Sequence, residues 1–229
     1  MRILAIDTAL PAVSVCVLDA GEQSAAASES IAMDKGHAEA LLPMIARVIA
    51  RVDRGFSSVG RVAVTVGPGS YTGIRVGVAA ARGIAIARGI PVVGLSTLLA
   101  IAAPYLAEEH DGILAVALDA KNGQVYFAAY GSGGRVLASP RLLPVRDACR
   151  LLGGGRVRLA GSGAYLLREE ALQSGGNMTV VDSAKFPDIL AVARLGIAAD
   201  PANAPAYPAY LKSPDTKLGV WQTIARLSP

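Results

Sequence analysis

The apolar positions of the first hundred residues change period several times, and each change predicts an element. Residues 2–7 form a continuous apolar run that stops at Asp7, the pattern of a buried strand. Val13-Ser14-Val15-Cys16-Val17 alternates at period two, and Asp19-Ala20-Gly21 supplies the turn after it. A third strand is expected over 24–31. From His37 the period lengthens: Leu41, Ile45, Val48 and Val52 recur at helical intervals, predicting an amphipathic helix over 37–53. Pro43 lies in its first turns and moves the expected start toward Leu42. Val62 to Val66 reads as a strand that feeds the glycine-rich stretch Gly67 to Gly77. A helix over 72–89, a strand at 90–93 and a helix from Ser96-Thr97 to about His110 follow.

The pattern then starts again. Ile6-Asp7 recurs as Leu118-Asp119, Val13 as Val125, Val15 as Phe127 and Gly21 as Gly133, all at an offset of 112 residues. Strands are expected at 113–118, 124–130 and 135–140, with turns at 121–123 and 131–134 and a helix at 144–152. Gly60-Arg61-Val62 matches Gly155-Arg156-Val157, and Gly67-Pro68-Gly69-Ser70-Tyr71 matches Gly161-Ser162-Gly163-Ala164-Tyr165 after one deletion. A helix over 188–199, a Pro/Ala-rich tail over 200–210 and a turn at Ser213-Pro214 close the chain. An order of strand-strand-strand-helix-strand-helix found twice implies an α/β fold of two duplicated lobes, 1–100 and 101–229, joined near 97–111. Each lobe is expected to be a mixed sheet with flanking helices, the architecture of the actin, sugar-kinase and Hsp70 ATPases and of ribonuclease H-like proteins. In that architecture the hairpin after the first strand of each lobe holds phosphate. Asp7 and Asp119 stand where an acid orients a metal.

The candidate chemistry is thin. Strand, glycine turn and helix start make an anion cradle in principle, because free N–H groups at a helix start point at negative charge. A P-loop needs Gly, four residues, then Gly-Lys-Ser/Thr; neither Gly67 nor Gly69 has that spacing, and no lysine lies between residues 36 and 120. The dinucleotide fingerprint fails at Thr72 and lacks its acid near 90–93. After Asp7-Thr8 the hairpin reads Ala9, Leu10 and Pro11 rather than glycine, so the candidate phosphate residues Asp7, Thr8, Gly67, Gly69, Ser70 and Asp119 read as degenerate loops. The two histidines, His37 and His110, are far apart, and no HxxxH or Cys/His cluster exists. Asp119 and Lys121 form at most a polar pair in a cleft.

Composition sharpens the reading of helix 72–89. The chain has 229 residues and is 52% hydrophobic, but charges interrupt it too often for a membrane span. The N-terminal run reaches an acid too soon for a secretory signal, and Cys16 and Cys149 suit a reducing cytoplasm. Net charge is +4 without a basic tail, so nucleic-acid binding is not signalled. Residues 54–107, however, hold Arg54, Arg61, Arg75, Arg82 and Arg88 and no acid. Gly73, Gly77 and Ala81 form a stripe of small residues, and Arg75 and Arg82 share a face. Two readings stand: a core helix, or a protein–protein face rimmed by arginine, the latter preferred because arginine is enriched at interfaces. The expected partner-binding residues are Gly73, Ile74, Arg75, Gly77, Val78, Ala81 and Arg82, with His37 and Leu41 of the first helix.

These segments resemble the TsaB (YeaZ) family. The resemblance rests on Ile3-Leu4-Ala5-Ile6-Asp7-Thr8-Ala9, on Gly36 to Pro43, on Gly67 to Gly77, and on Leu118 to Tyr126 with Lys121 in place of arginine. Pro208-Ala209-Tyr210-Leu211-Lys212 is similar to the family's P-x-Y-L-R tail, again with lysine for arginine. The resemblance implies a non-catalytic partner of TsaD, acting with the ATPase TsaE in making N6-threonylcarbamoyladenosine at position 37 of tRNA. It implies docking, or self-association, through the N-terminal lobe, with tRNA met through the complex. No intrinsic cofactor is implied; ATP and metal are expected on the partner subunits. TsaD carries a metal-binding HxxxH where this chain has Leu95 to Ile101. An autonomous actin-like ATP-binding protein or small-molecule kinase is the alternative, and a metallopeptidase-like hydrolase the remote one.

Overall fold

Two five-stranded mixed sheets repeat one topology. The computed structural model describes residues 1–106 and 111–212; His110 and the turn at Ser213-Pro214 lie outside them. One sheet holds β1 (Arg2–Asp7), β2 (Ala12–Asp19), β3 (Ala27–Ala32), β4 (Arg61–Gly67) and β5 (Val92–Ser96), in the order β3-β2-β1-β4-β5. The other holds β6 (Ile113–Asp119), β7 (Gln124–Tyr130), β8 (Val136–Pro144), β9 (Val157–Ala160) and β10 (Thr179–Val180), in the order β10-β9-β6-β7-β8. The helices are α1 (His37–Ala50), α2 (Tyr71–Arg88), α3 (Thr97–Leu106), α4 (Val145–Leu152), α5 (Ala164–Gln173) and α6 (Ile189–Ala198). Each lobe is thus three strands, helix, strand, helix, strand, helix, the duplicated α/β architecture that the sequence implies.

Several details differ from expectation. Helix α1 begins at His37, where its period predicts, and Pro43 sits inside it on the exposed side without moving the start to Leu42. Helix α5 and the two-residue β10 carry no clear signal, because the exposed Leu166 and Leu172 blur the period set by the buried Ala164, Leu167 and Ala171. The gapless offset of 112 also fails on the first strands. Val13, Val15 and Val17 face α1 and α2, as Val125, Phe127 and Ala129 face α4 and α5, so an even offset suits β2 and β7. Leu4 and Ile6, however, face the same way as Ala115 and Ala117, which is an odd offset. Because strand side chains alternate, an odd slip reverses the face. Asp7 pairs with Ser14, whereas Asp119 pairs with Val125, so the second hairpin is one residue tighter. Asp119 therefore is not the structural counterpart of Asp7.

The lobes are interleaved by their last helices. Leu98, Ile101 and Ala102 of α3 pack on Leu114, Val116, Leu118, Ala128 and Tyr130 of the C-terminal sheet. Ile189, Val192 and Ala193 of α6 return to the N-terminal sheet and cover Ile3, Ala5, Cys16, Leu18, Ala63 and Val93. Each fully buried aliphatic side chain contributes roughly 1.5–3 kcal/mol. Arg61 at the start of β4 donates from Nη1 to the carbonyls of Gly196, Ile197 and Ala199 at 2.9, 3.2 and 2.8 Å. Those carbonyls have no partner within the helix, so Arg61 caps α6 from the N-terminal sheet that the helix covers. Arg158 of β9 donates to the Tyr105 carbonyl of α3 at 2.8 Å. Residues 189–199 thus pack on the N-terminal sheet although they follow the C-terminal strands in sequence, and α3 packs on the C-terminal sheet.

Residues 1–106 expressed alone are expected to show no cooperative unfolding, since removing α6 uncovers one whole face of the sheet. A cooperative melt from that fragment, followed by circular dichroism, would contradict the exchange.

Candidate functional site

The glycine stretch serves the protein's own packing. Ser70 caps α2, its Oγ accepting from the Gly73 N–H at 3.3 Å. Its own N–H donates to the Ala9 carbonyl at 2.7 Å. The turn after β1 lies directly on the start of α2: a β-carbon on Gly69 would overlap the Ala9 carbonyl, one on Gly73 the Thr8 carbonyl, and one on Gly77 the Thr8 Oγ1. Thr8 Oγ1 donates to the Gly73 carbonyl at 2.7 Å. The close side of the loop is filled by the hairpin, where the phosphate reading placed an anion. Gly67 faces elsewhere: its β-carbon would lie 2.7 Å from the Ala209 carbonyl, so this glycine admits the C-terminal tail.

Asp7 is fully buried. Its Oδ1 accepts from the Thr65 hydroxyl and from the Ala9 N–H at 3.2 Å, while Oδ2 has no partner among the described residues. Burial pushes its pKa up to about 6, against the opposing pull of those two hydrogen bonds. Neither Asp7 nor Thr8 is open to a nucleotide phosphate or its metal, and the residues present do not fit one there. His37, also buried, places Nε2 3.1 Å from the Leu10 carbonyl, tying the start of α1 to the same hairpin. Asp119 differs. It lines a crevice of about 520 Å³ between the lobes, with Lys121, Ser162, Lys185, Ser70 and Leu10 among its walls. Partial burial works to raise its pKa, but the Lys121 ammonium at 2.8 Å and the Lys121 N–H outweigh that and leave it below the ordinary value. Among the described residues no group of three or more His, Cys, Asp and Glu comes together to hold a metal.

Helix α2 divides differently from the partner-binding expectation. Gly73, Ile74, Gly77, Val78 and Ala81 are buried against the chain's own sheet and hairpin, as is Leu41 of α1. The small stripe is there because the hairpin needs it. Arg75 and Arg82 remain exposed, but both hold the C-terminal tail. Arg75 Nε donates to the Tyr210 hydroxyl at 2.8 Å, with its guanidinium 3.9 Å above the Tyr71 ring, and Tyr71 stacks on Tyr210 at 4.8 Å. Arg82 sits 4.8 Å over the Tyr207 ring. Sequence reading missed the outward face: Thr72, Ala79, Gly83 and Ile86 are exposed, with Val76 half-buried. Ile86 is 79% exposed. Their spacing was visible, but with nearly every position of the helix small or apolar, spacing alone does not say which stripe faces out.

Two glycine substitutions in α2, ten residues apart, separate packing from surface. Gly73→Ala is expected to lower stability by about 2 kcal/mol or more, since backbone must move to admit the methyl. Gly83→Ala, which meets nothing within 4 Å, is expected to raise it by about 0.5–1 kcal/mol. Denaturant titration checks both signs. Asp7 adds a pH test. A carboxyl whose pKa is higher folded than unfolded stabilises most below the unfolded value of 3.8, and that contribution is lost as pH rises through about 6. Asp7→Asn is therefore expected to melt higher than wild type near about pH 8, with the gain vanishing toward about pH 4. A lower melting temperature near pH 8 would overturn the buried-charge reading.

Known proteins fit this geometry. A family model described as "TsaD: tRNA N6-adenosine threonylcarbamoyltransferase" matches residues 27–180. An Escherichia coli relative, "tRNA threonylcarbamoyladenosine biosynthesis protein TsaB", is 34% identical over 130 residues, which is 57% of this chain and 55% of that protein. A Bacillus subtilis protein of the same name is 32% identical over 130 residues, with the same coverage. The chain thus matches about half the length of these curated relatives. An uncharacterised protein of Mycobacterium tuberculosis is 31% identical over 216 residues, 94% of this chain and 93% of its own. The solved structure of YeaZ from Pseudomonas aeruginosa superposes with a TM-score of 0.72 at 27% identity, over 92% of this chain and 99% of that one. With the duplicated lobes, the glycine loop and the hairpin that closes it, the chain belongs to the TsaD family, within its TsaB (YeaZ) branch.

Proposed function

We propose that this chain is a non-catalytic subunit of the machinery that makes N6-threonylcarbamoyladenosine in tRNA, docking through its N-terminal lobe onto a TsaD-type catalytic relative. The observation that carries the reading is the outward stripe of α2. Ala79 and Gly83 are small, four residues apart and exposed, and Ile86 beyond them is apolar and almost bare. Leu42 of the neighbouring α1 is 60% exposed. Small residues at that spacing let another helix approach to backbone distance, and a bare apolar side chain beside them adds surface for it to cover.

The relatives' name supports the tRNA pathway. The closed hairpin supports a catalytic role for the partner rather than for this chain, because the first lobe offers no phosphate access to Asp7. Where the resemblance implies a metal-binding histidine pair in TsaD, this chain begins α3 with Thr97-Leu98-Leu99-Ala100-Ile101. ATP, metal and TsaE are accordingly assigned to the partner side of the complex, and tRNA is met through it. Self-association through the same stripe is the competing use of this surface. Among the described residues no helix is long and apolar enough to cross a membrane.

Ala79→Asp and Gly83→Arg change exposed positions, whereas Val78→Asp would insert a charge into the core. Both surface variants are expected to stay cooperatively folded, Gly83→Arg unfolding no earlier than wild type, and to bind the purified TsaD-type subunit at least about tenfold more weakly. Wild-type affinity in both, measured by calorimetry, would remove the reading.

A further inference from the structure

The C-terminal tail is built into the face of α2 rather than appended to it. After α6, residues 200–212 cross the edge of the N-terminal sheet. The Gly94 N–H donates to the Ala204 carbonyl at 2.9 Å, and the Ala209 N–H donates to the Val66 carbonyl at 2.8 Å. Two glycines make room for this strap: a β-carbon on Gly94 would stand 2.5 Å from the Pro205 carbonyl, and one on Gly67 2.7 Å from that of Ala209. Ala206 is buried in the same core cluster as Ala81 and Ala85 of α2. The two tyrosines that follow it then meet arginines of α2, Tyr207 with Arg82 and Tyr210 with Arg75.

Tyr207 nevertheless stays 61% exposed, and it stands across a groove from Ile86. The groove has a volume of about 430 Å³ and its walls include Pro91 and Pro205 as well. Four apolar or aromatic side chains from α2, the β5 approach and the strap thus converge on one opening, beside the Arg82 guanidinium. Among the described residues no acid lines that opening, and none occurs in the sequence over residues 54–107 or 201–212. A second copy presenting this same face would therefore bring arginine and no carboxylate, so a self-complementary pairing leaves Arg82 without a counter-charge.

We infer that the strap extends the docking surface of the N-terminal lobe, and that the groove between Ile86 and Tyr207 takes an apolar side chain from a different protein whose neighbouring carboxylate meets Arg82. The inference rests on the docking reading above and names what that partner must present. Aromatic residues beside arginine at a half-open pocket are the composition of interface hot spots.

The test is the affinity of the full chain for the purified TsaD-type subunit, at low and high salt. Tyr207→Ala is expected to weaken binding about tenfold, while Tyr207→Phe, which keeps the ring, stays near wild type. Arg82→Gln is expected to weaken binding as well and to flatten its salt dependence. Wild-type affinity in Tyr207→Ala, with Gly83→Arg still defective, would overturn the strap's part and leave the docking reading standing. Wild-type affinity in both would remove the docking reading itself. A homodimer in sedimentation that Tyr207→Ala dissociates, without effect on the TsaD-type subunit, would also overturn the inference in favour of a second copy.

Discussion

The seat of Thr8 and Ala9 on the first turns of α2 is the contact on which the N-terminal lobe depends. Two backbone carbonyls occupy the places where side chains of Gly69 and Gly73 would be, and the Thr8 hydroxyl takes that of Gly77. At such a separation only glycine is admitted, and the helix cannot rotate without losing the Thr8–Gly73 and Ser70–Ala9 hydrogen bonds. Fixing the rotation of α2 decides everything on its surface. Gly73, Gly77 and Ala81 turn inward, so Ala79, Gly83 and Ile86 turn out. The same seat closes the hairpin over Asp7. One steric constraint therefore removes an anion site and presents an apolar stripe.

Closure of this lobe is completed from far along the chain. Helix α6 covers the back of the sheet, Arg61 binds the carbonyls at its end, and the strap then passes around the edge to the front of α2. The C-terminal lobe receives α3 in return. Such an exchange makes each sheet's core a product of both halves of the sequence, and residues more than a hundred positions apart share one hydrophobic layer. It also protects the edge strand β5, whose open backbone groups would otherwise invite pairing with another chain, because Gly94 is bonded to the strap.

Asp7 and Asp119 show how environment separates two acids that follow similar apolar runs. Asp7 has lost its solvent and raises its pKa, held by a threonine and one backbone N–H. Asp119 keeps partial exposure, accepts from a lysine, and stays ionised. The first belongs to the folding energetics of the lobe, and the second to the wall of the crevice between lobes. The odd slip between β1 and β6 is what sends the two side chains to opposite sides of their sheets.

Local pattern alone was enough to place most strands and helices, their duplicated order and the α/β class, because periodicity and turn residues act over a few positions. It also marked the glycine stretch and the arginine-rich, acid-free segment as unusual. It placed the small stripe of α2 on the wrong side, since a helix of alanine, glycine, isoleucine and valine has no polar face to orient it. Rotation, the fate of Asp7, and the pairing of Arg75 and Arg82 with Tyr210 and Tyr207 are set by contacts between residues 58 to 135 positions apart. Such contacts depend on where the sheet, the hairpin and the strap meet in space, and no window of sequence contains them.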